Sequence, residues 1–231
     1  MNVSSGDLGS MTMSRTKTRR VRREEARQAA GMIGATWHPP IADDLQIFYT
    51  NRMLRRIAAV VREVKPTVLL THSPEDYMED HMTVSRLAVT AAFSRGMPNY
   101  RSSPRQAPVD EPVTIYHASP HGLRDGLRRL IVPGAFVDTS VVHEQKRAAL
   151  ALHASQKEWL DATQGMDSYL AAMDCFSREL GNLSGTFLHA EGWRRHSHLG
   201  FCGPDDDPLK DALGDRWREN PDAREVLDGA V

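Results

Sequence analysis

The sequence predicts an α/β fold, and three adjacent stretches carry the prediction. Leu54, Ile57, Ala58 and Val61 recur at helical spacing, and Lys65-Pro66 closes that helix over 53–64. Thr67-Val68-Leu69-Leu70-Thr71 follows as a short, β-rich apolar run, the pattern of a buried strand. A polar loop over 72–81 then leads into a second helix over 83–93, marked by Val84, Leu87, Ala88, Ala91 and Ala92. Helix, strand, loop, helix is the alternation of α/β domains, whose ligands bind at loops leaving the carboxyl ends of strands.

The other elements follow in chain order. Gly6-Asp7-Leu8-Gly9-Ser10 has turn composition. Arg15, Lys17, Arg19, Arg20, Arg22, Arg23 and Arg27 lie on a helical stretch with Val21, Ala26, Ala29, Ala30 and Ile33, stopped near Gly34. Glu24 and Glu25 interrupt this basic run, which favours a solvated helix face over a nucleic-acid arm. Trp37-His38-Pro39-Pro40 cannot continue a helix. The stretch 98–112 holds four prolines and reads as a long surface loop or lid. Strands are expected at 113–117 and 135–140, helices at 143–159 and 169–180, and a polar tail at 204–231 with a short helix near 209–217. Residues 1–231 read as one domain.

Composition bounds the function. A net charge of −1 removes the field of a dedicated nucleic-acid or anionic-membrane binder. Two cysteines cannot build a disulfide framework. No apolar run approaches a membrane span, and Met1–Gly6 lacks the charged-then-apolar start of a signal peptide, so a cytoplasmic protein is expected. Ten histidines are the unusual supply. Six metal-capable or acid–base side chains, His72, Glu75, Asp76, Glu79, Asp80 and His81, fall within ten residues at the end of the first strand. A zinc site and a solvated acidic loop both fit that composition. Arg194, Arg195, His196 and His198 read as solvated surface, and His117 and His121 as loop residues.

Met78-Glu79-Asp80-His81, placed after a strand and before a helix, resembles the second signature (His-Pro-Asp-His) of the LmbE/PIG-L family of zinc-dependent N-deacetylases. Other segments resemble the family in order: Gly6-Asp7-Leu8-Gly9-Ser10 its Gly-rich loop, Arg22 with Glu25-Ala26 its Arg-x-x-Glu-Ala helix, Asp43-Asp44 its acidic position, Lys146 with His153-Ala154-Ser155-Gln156 its late Lys…His-x-Ser-Gln stretch, and Ala190-Glu191-Gly192-Trp193 its closing element. The resemblance implies a Rossmann-like three-layer α/β/α fold with a mainly parallel sheet. It makes His81 a zinc ligand, Asp80 an orienting catalytic residue and His153 a catalytic pocket residue. It places Arg22 and Asp44 against the substrate, and His72 could take the substrate-side place where the family has histidine and this chain has Met78. The implied cofactor is Zn2+, and the implied substrate a small N-acetylated amino sugar or its conjugate.

The family's first signature, Ala-His-Pro-Asp-Asp-x-Glu, supplies two zinc ligands and the general base, and it has no counterpart here. One ligand does not hold a catalytic zinc. Three origins fit: a true start upstream of Met1 by roughly 30–40 residues, the size of a strand–helix–strand unit; a decayed, inactive relative; or a segment supplied by a partner. The two functional readings are therefore a deacetylase and a non-catalytic domain that binds a sugar or a protein. A sheet without its first strands also favours a homo-oligomer.

Overall fold

The computed structural model describes residues 1–165 and 168–223. In chain order the elements are α1 (Arg15–Met32), α2 (Asn51–Val64), β1 (Val68–Thr71), α3 (Glu79–Phe93), β2 (Thr114–Ala118), β3 (Ala135–Asp138), α4 (His143–Ala151), α5 (Ala154–Gln164), α6 (Ser168–Ser184), β4 (Ala190–Arg195), α7 (Pro208–Leu213) and β5 (Trp217–Glu219). The chain forms two compact units, Met1–Ile47 with Thr139–Ala190, and Phe48–Asp138 with Glu191–Val231.

In the first unit, Ser14 caps α1 by accepting from the Lys17 N–H. Arg15, Lys17, Arg20, Arg23 and Arg27 are exposed, as a solvated face requires, while Arg19 and Arg22 are half-buried. Arg15 and Arg19 turn onto Asp7 and Asp43, pinning the N-terminal loop to the helix. The helix expected over 143–159 is broken at Leu152-His153, where the His153 ψ of 56° leaves the helical region and α5 begins afresh. Glu25 caps the new helix: its carboxylate accepts from the Ser155 N–H at 2.9 Å and the Ser155 hydroxyl at 2.7 Å.

In the second unit, Thr50 caps α2, and Lys65 ends it in the left-handed region at φ 51°. Ile57, Ala58 and Val61 of α2, Leu87, Ala91 and Ala92 of α3, and Val113, Ile115 and Tyr116 around β2 are buried and form its core with Phe201. The strands make one five-stranded sheet in the order β1-β2-β4-β3-β5. β1 and β2 are parallel, with Thr71 opposite His117. β4 runs antiparallel to β2, and β5 antiparallel to β3. The expectation of a mainly parallel sheet is therefore corrected. The late strands β4 and β5 add to the sheet in the reverse direction, which needs no crossover of the βαβ kind.

The stretch 98–112 contains no helix or strand, but it is tied down. The buried Arg62 of α2 donates to the carbonyls of Ser94 and Met97, both at 2.9 Å, and of Gln106 at 3.3 Å. Arg95 donates to the Glu111 and Phe201 carbonyls. Part of the polar tail is also structural, since it supplies α7 and β5; residues 224–231 of that tail lie outside the described residues. No helix among the described residues is long and apolar enough to cross a membrane.

Candidate metal centre

β1 delivers the chain to a loop that turns on its own side chains. The Ser73 hydroxyl donates to the Glu75 carbonyl at 2.6 Å and accepts from the Glu75 N–H. The Asp76 carboxylate accepts from the Met78 N–H at 3.0 Å, an Asx turn that sets up the start of α3. Met78 is the N-cap of α3 in extended geometry, with no side-chain cap of its own. Glu79 and Asp80 occupy the first turn, where the helix dipole favours acids. His81, one residue further, comes back over the loop.

Three side chains converge there. Asp76 Oδ1 lies 3.1 Å from His81 Nδ1. The His72 and His81 rings stack at 4.4 Å with an interplanar angle of 1°. One ligand atom each from His72, Asp76 and His81 lies within 4.8 Å of the other two. Asp76 is buried and the two histidines are half-buried. Tyr77 sets its ring edge-on to His81 at 5.8 Å and contacts His121 at 6.0 Å, so aromatic groups wall one side.

The electrostatics suit a cation. Burial, with the neighbouring His81, lowers His72 to about 4, so its imidazole is neutral at pH 7. Burial alone would raise the Asp76 carboxyl, but the His81 and Met78 hydrogen bonds and the two histidine charges outweigh it and hold the group below the usual carboxylate range. Neutral imidazole and ionised carboxylate are the forms that ligate a metal. Two imidazoles and one carboxylate also match the three-ligand sets of catalytic zinc. Tetrahedral zinc sets its ligands about 3.4 Å apart given bonds near 2.1 Å, so donors within 4.8 Å of one another need close by at most about 1.4 Å. The residues present fit the ion.

The expected site residues divide between the units. His72, Asp80 and His81 belong to the second, where His72 and His81 meet and Asp80 is buried in the first turn of α3. Arg22, Asp44 and His153 belong to the first. There both Asp44 oxygens are taken up by main chain, from Gly6 N–H at 2.9 Å and Leu8 N–H at 3.1 Å. Arg22 donates to the Gly9 carbonyl at 2.5 Å. Gly6, at φ 69°, lies so close that a Cβ would come within 2.6 Å of the Arg22 side chain. Burial lowers His153, with Glu25 opposing that shift and Arg22 adding to it. The sequence places Asp76 among the six metal-capable side chains of the loop but assigns it no role. Its signal was there: an Asx spacing to residue 78, five residues before His81.

The family model for PIG-L, the GlcNAc-PI de-N-acetylases, matches residues 1–92. The matched stretch includes His72, Asp76 and His81. Among curated proteins, the chain is 32% identical over 146 residues to a 4-oxalmesaconate hydratase of Pseudomonas putida, covering 63% of this chain and 54% of that protein. It is 29% identical over 178 residues to the diacetylchitobiose deacetylase of Thermococcus kodakarensis, covering 75% of this chain and 61% of the relative. The chain thus spans between half and two thirds of the length of either relative. Among solved structures, the N,N′-diacetylchitobiose deacetylase from Pyrococcus horikoshii shares the fold with a TM-score of 0.68 at 18% identity, covering 91% of this chain and 75% of that one.

Proposed function

We propose that this chain is a zinc-dependent N-deacetylase of the PIG-L kind, acting on a small N-acetylated amino sugar or its conjugate. The observation that carries the reading is the convergence of His72, Asp76 and His81 at the carboxyl end of β1. The PIG-L match and the deacetylase relative support it. His72, Asp76 and His81 would hold the ion, which supplies Lewis acidity toward an amide carbonyl when bound. Asp76, 3.1 Å from His81 Nδ1, also restrains that ring at the site. Tyr77 and His121 shape the wall of the site. Arg22 and His153 remain the proposed substrate-side and catalytic groups of the first unit. Asp44, which holds the Gly6–Leu8 loop, is the further proposed substrate-side group of the first unit, and Asp80 the proposed orienting residue beside His81. We place this activity in the cytoplasm, in a single deacetylase domain, on a small molecule and not on nucleic acid.

A second reading is hydration of an unsaturated acid, favoured by the 32% identity to a hydratase. One experiment separates the readings. The zinc-loaded chain is assayed for amine release from N,N′-diacetylchitobiose and N-acetylglucosamine, and for loss of absorbance from a conjugated unsaturated carboxylic acid. Amine release that disappears in His81→Ala supports the deacetylase. Hydration without amine release moves the chain to the second reading. Sugar binding with neither reaction identifies a non-catalytic binding domain.

A further inference from the structure

The ligand loop is short and polar, yet its main chain is held from behind by residues far away in sequence. His117, in β2, is buried at 5% exposure. Its Nδ1 lies 2.8 Å from the carbonyl oxygen of His72 and 3.2 Å from the hydroxyl of Ser85, on the helix that carries His81. Its Nε2 lies 3.0 Å from His196 Nδ1. One assignment of protons satisfies this chain: Nδ1–H of His117 donates to His72, and Nε2 accepts from His196. His196 is itself fixed, with its N–H on the Ile115 carbonyl and its ring edge-on to Phe201 at 5.4 Å. Beside His117 in the β2–β4 register stands Arg194. Arg194 donates to Ser73 Oγ at 2.7 Å and to a Glu75 carboxylate oxygen at 2.9 Å. The loop is therefore gripped at residue 72 by His117 and at 73 and 75 by Arg194.

We propose that His117 is a positioning residue for the metal loop, with His196 fixing its tautomer and Arg194 as a second arm. The inference rests on the reading of His72, Asp76 and His81 as metal ligands. It changes the meaning of the late Arg-Arg-His segment: Arg194 and His196 are support for a ligand loop some 120 residues upstream rather than solvated surface. The physical reason is that a ligand imidazole points where its main chain points. The His72 carbonyl and side chain share one Cα, so freeing the carbonyl frees the ring. Groups of this kind behind metal ligands typically contribute 10–100-fold in metal affinity.

The test is a zinc titration, with cobalt substitution as a spectroscopic report on ligand geometry. Wild type, His117→Leu, His117→Asn, Arg194→Met and His81→Ala are compared, with far-UV circular dichroism to confirm folding. His117→Leu is expected to lower zinc affinity roughly 10–100-fold and to alter the cobalt spectrum. His117→Asn keeps a donor near the place of Nδ1 and is expected to recover most of the loss. Arg194→Met should give a smaller loss in the same direction. A folded His117→Leu that binds zinc within about twofold of wild type, with an unchanged cobalt spectrum, overturns the inference. Should His117→Leu not fold, Arg194→Met decides in its place, and wild-type affinity and spectrum in that variant overturn it. If wild type takes up no zinc, or His81→Ala binds as wild type does, the metal reading itself falls and takes this inference with it.

Discussion

His72 and Asp76 are titratable groups whose environment makes the loop sensitive to acid. For His72 the folded pKa, about 4, lies below the ordinary 6.5 because burial and His81 disfavour the cation. The unfolded chain then binds the proton that the folded chain refuses. Stability contributed this way is intact above pH 6.5 and is lost as pH falls from about 6.5 to about 4, by at most roughly 3 kcal/mol at 1.36 kcal/mol per unit. In metal-free protein, His72→Gln is expected to flatten the stability–pH curve across that window. Urea titrations at pH 7 and pH 4.5 measure it, and parallel curves for the two proteins would refute the assignment. Asp76 offers the complementary test. Asp76→Asn keeps an acceptor for the Met78 N–H but removes the charge facing His81. Zinc affinity should fall more than tenfold, while the urea midpoint shifts by less than about 1 kcal/mol. Equal losses in both would make Asp76 a residue of the fold alone.

At the scale of elements, two arginines decide how the long loop over 94–112 behaves. Arg62 spends its guanidinium on three main-chain carbonyls, those of Ser94, Met97 and Gln106. Arg62→Met keeps much of the stem but removes all three hydrogen bonds, leaving the Ser94 and Met97 carbonyls only the N–H groups of Met97 and Tyr100. The expected loss is about 2–4 kcal/mol, read as a lower urea midpoint with an unchanged fold by circular dichroism. A loss under about 0.5 kcal/mol would mean that water replaces the guanidinium. This anchoring explains what the sequence could and could not show. Four prolines correctly mark 98–112 as irregular, yet nothing local announces that a helix arginine more than thirty residues upstream holds it. α2, β1 and α3 were legible because their apolar spacing is a local property. The break at Leu152-His153 was not, because the apolar pattern runs through it and only the His153 backbone reveals the new start. His81 was legible from the order of residues before a helix, whereas Asp76 depends on the path of the loop.

For the whole molecule the lesson lies in the last strands. Ala190-Glu191-Gly192-Trp193-Arg194-Arg195 and Trp217-Arg218-Glu219 carry neither an apolar run nor a clean alternation, so their pairing is set by distant partners and not by their own composition. Yet β5 closes the β3 edge of the sheet. Its Trp217 ring meets the buried Tyr116 edge-on at 6.0 Å. The next residue, Asn220, is buried and donates its N–H to the Gly134 carbonyl at 2.9 Å and its side-chain amide to the Pro133 carbonyl at 2.8 Å. A polar tail without structure could be removed at little loss. A sheet strand cannot, because its removal uncovers β3, strips Tyr116 of its ring neighbour and orphans two carbonyls. Burial of part of one tryptophan and two to three hydrogen bonds together amount to about 4–6 kcal/mol, a large share of the 5–15 kcal/mol that holds a typical domain. Truncation after Gly214 is therefore expected to lower the melting temperature by roughly 10–20 °C for a chain of this size and to promote association through the freed β3 edge. Asn220→Ala in the full chain removes only the side-chain bond to the Pro133 carbonyl and leaves the strand in place, and should lower the melting temperature by only a few degrees. If the truncated chain melts with the full one and associates no more than it does in sedimentation, β5 is an ornament on the sheet and the edge is closed by other means.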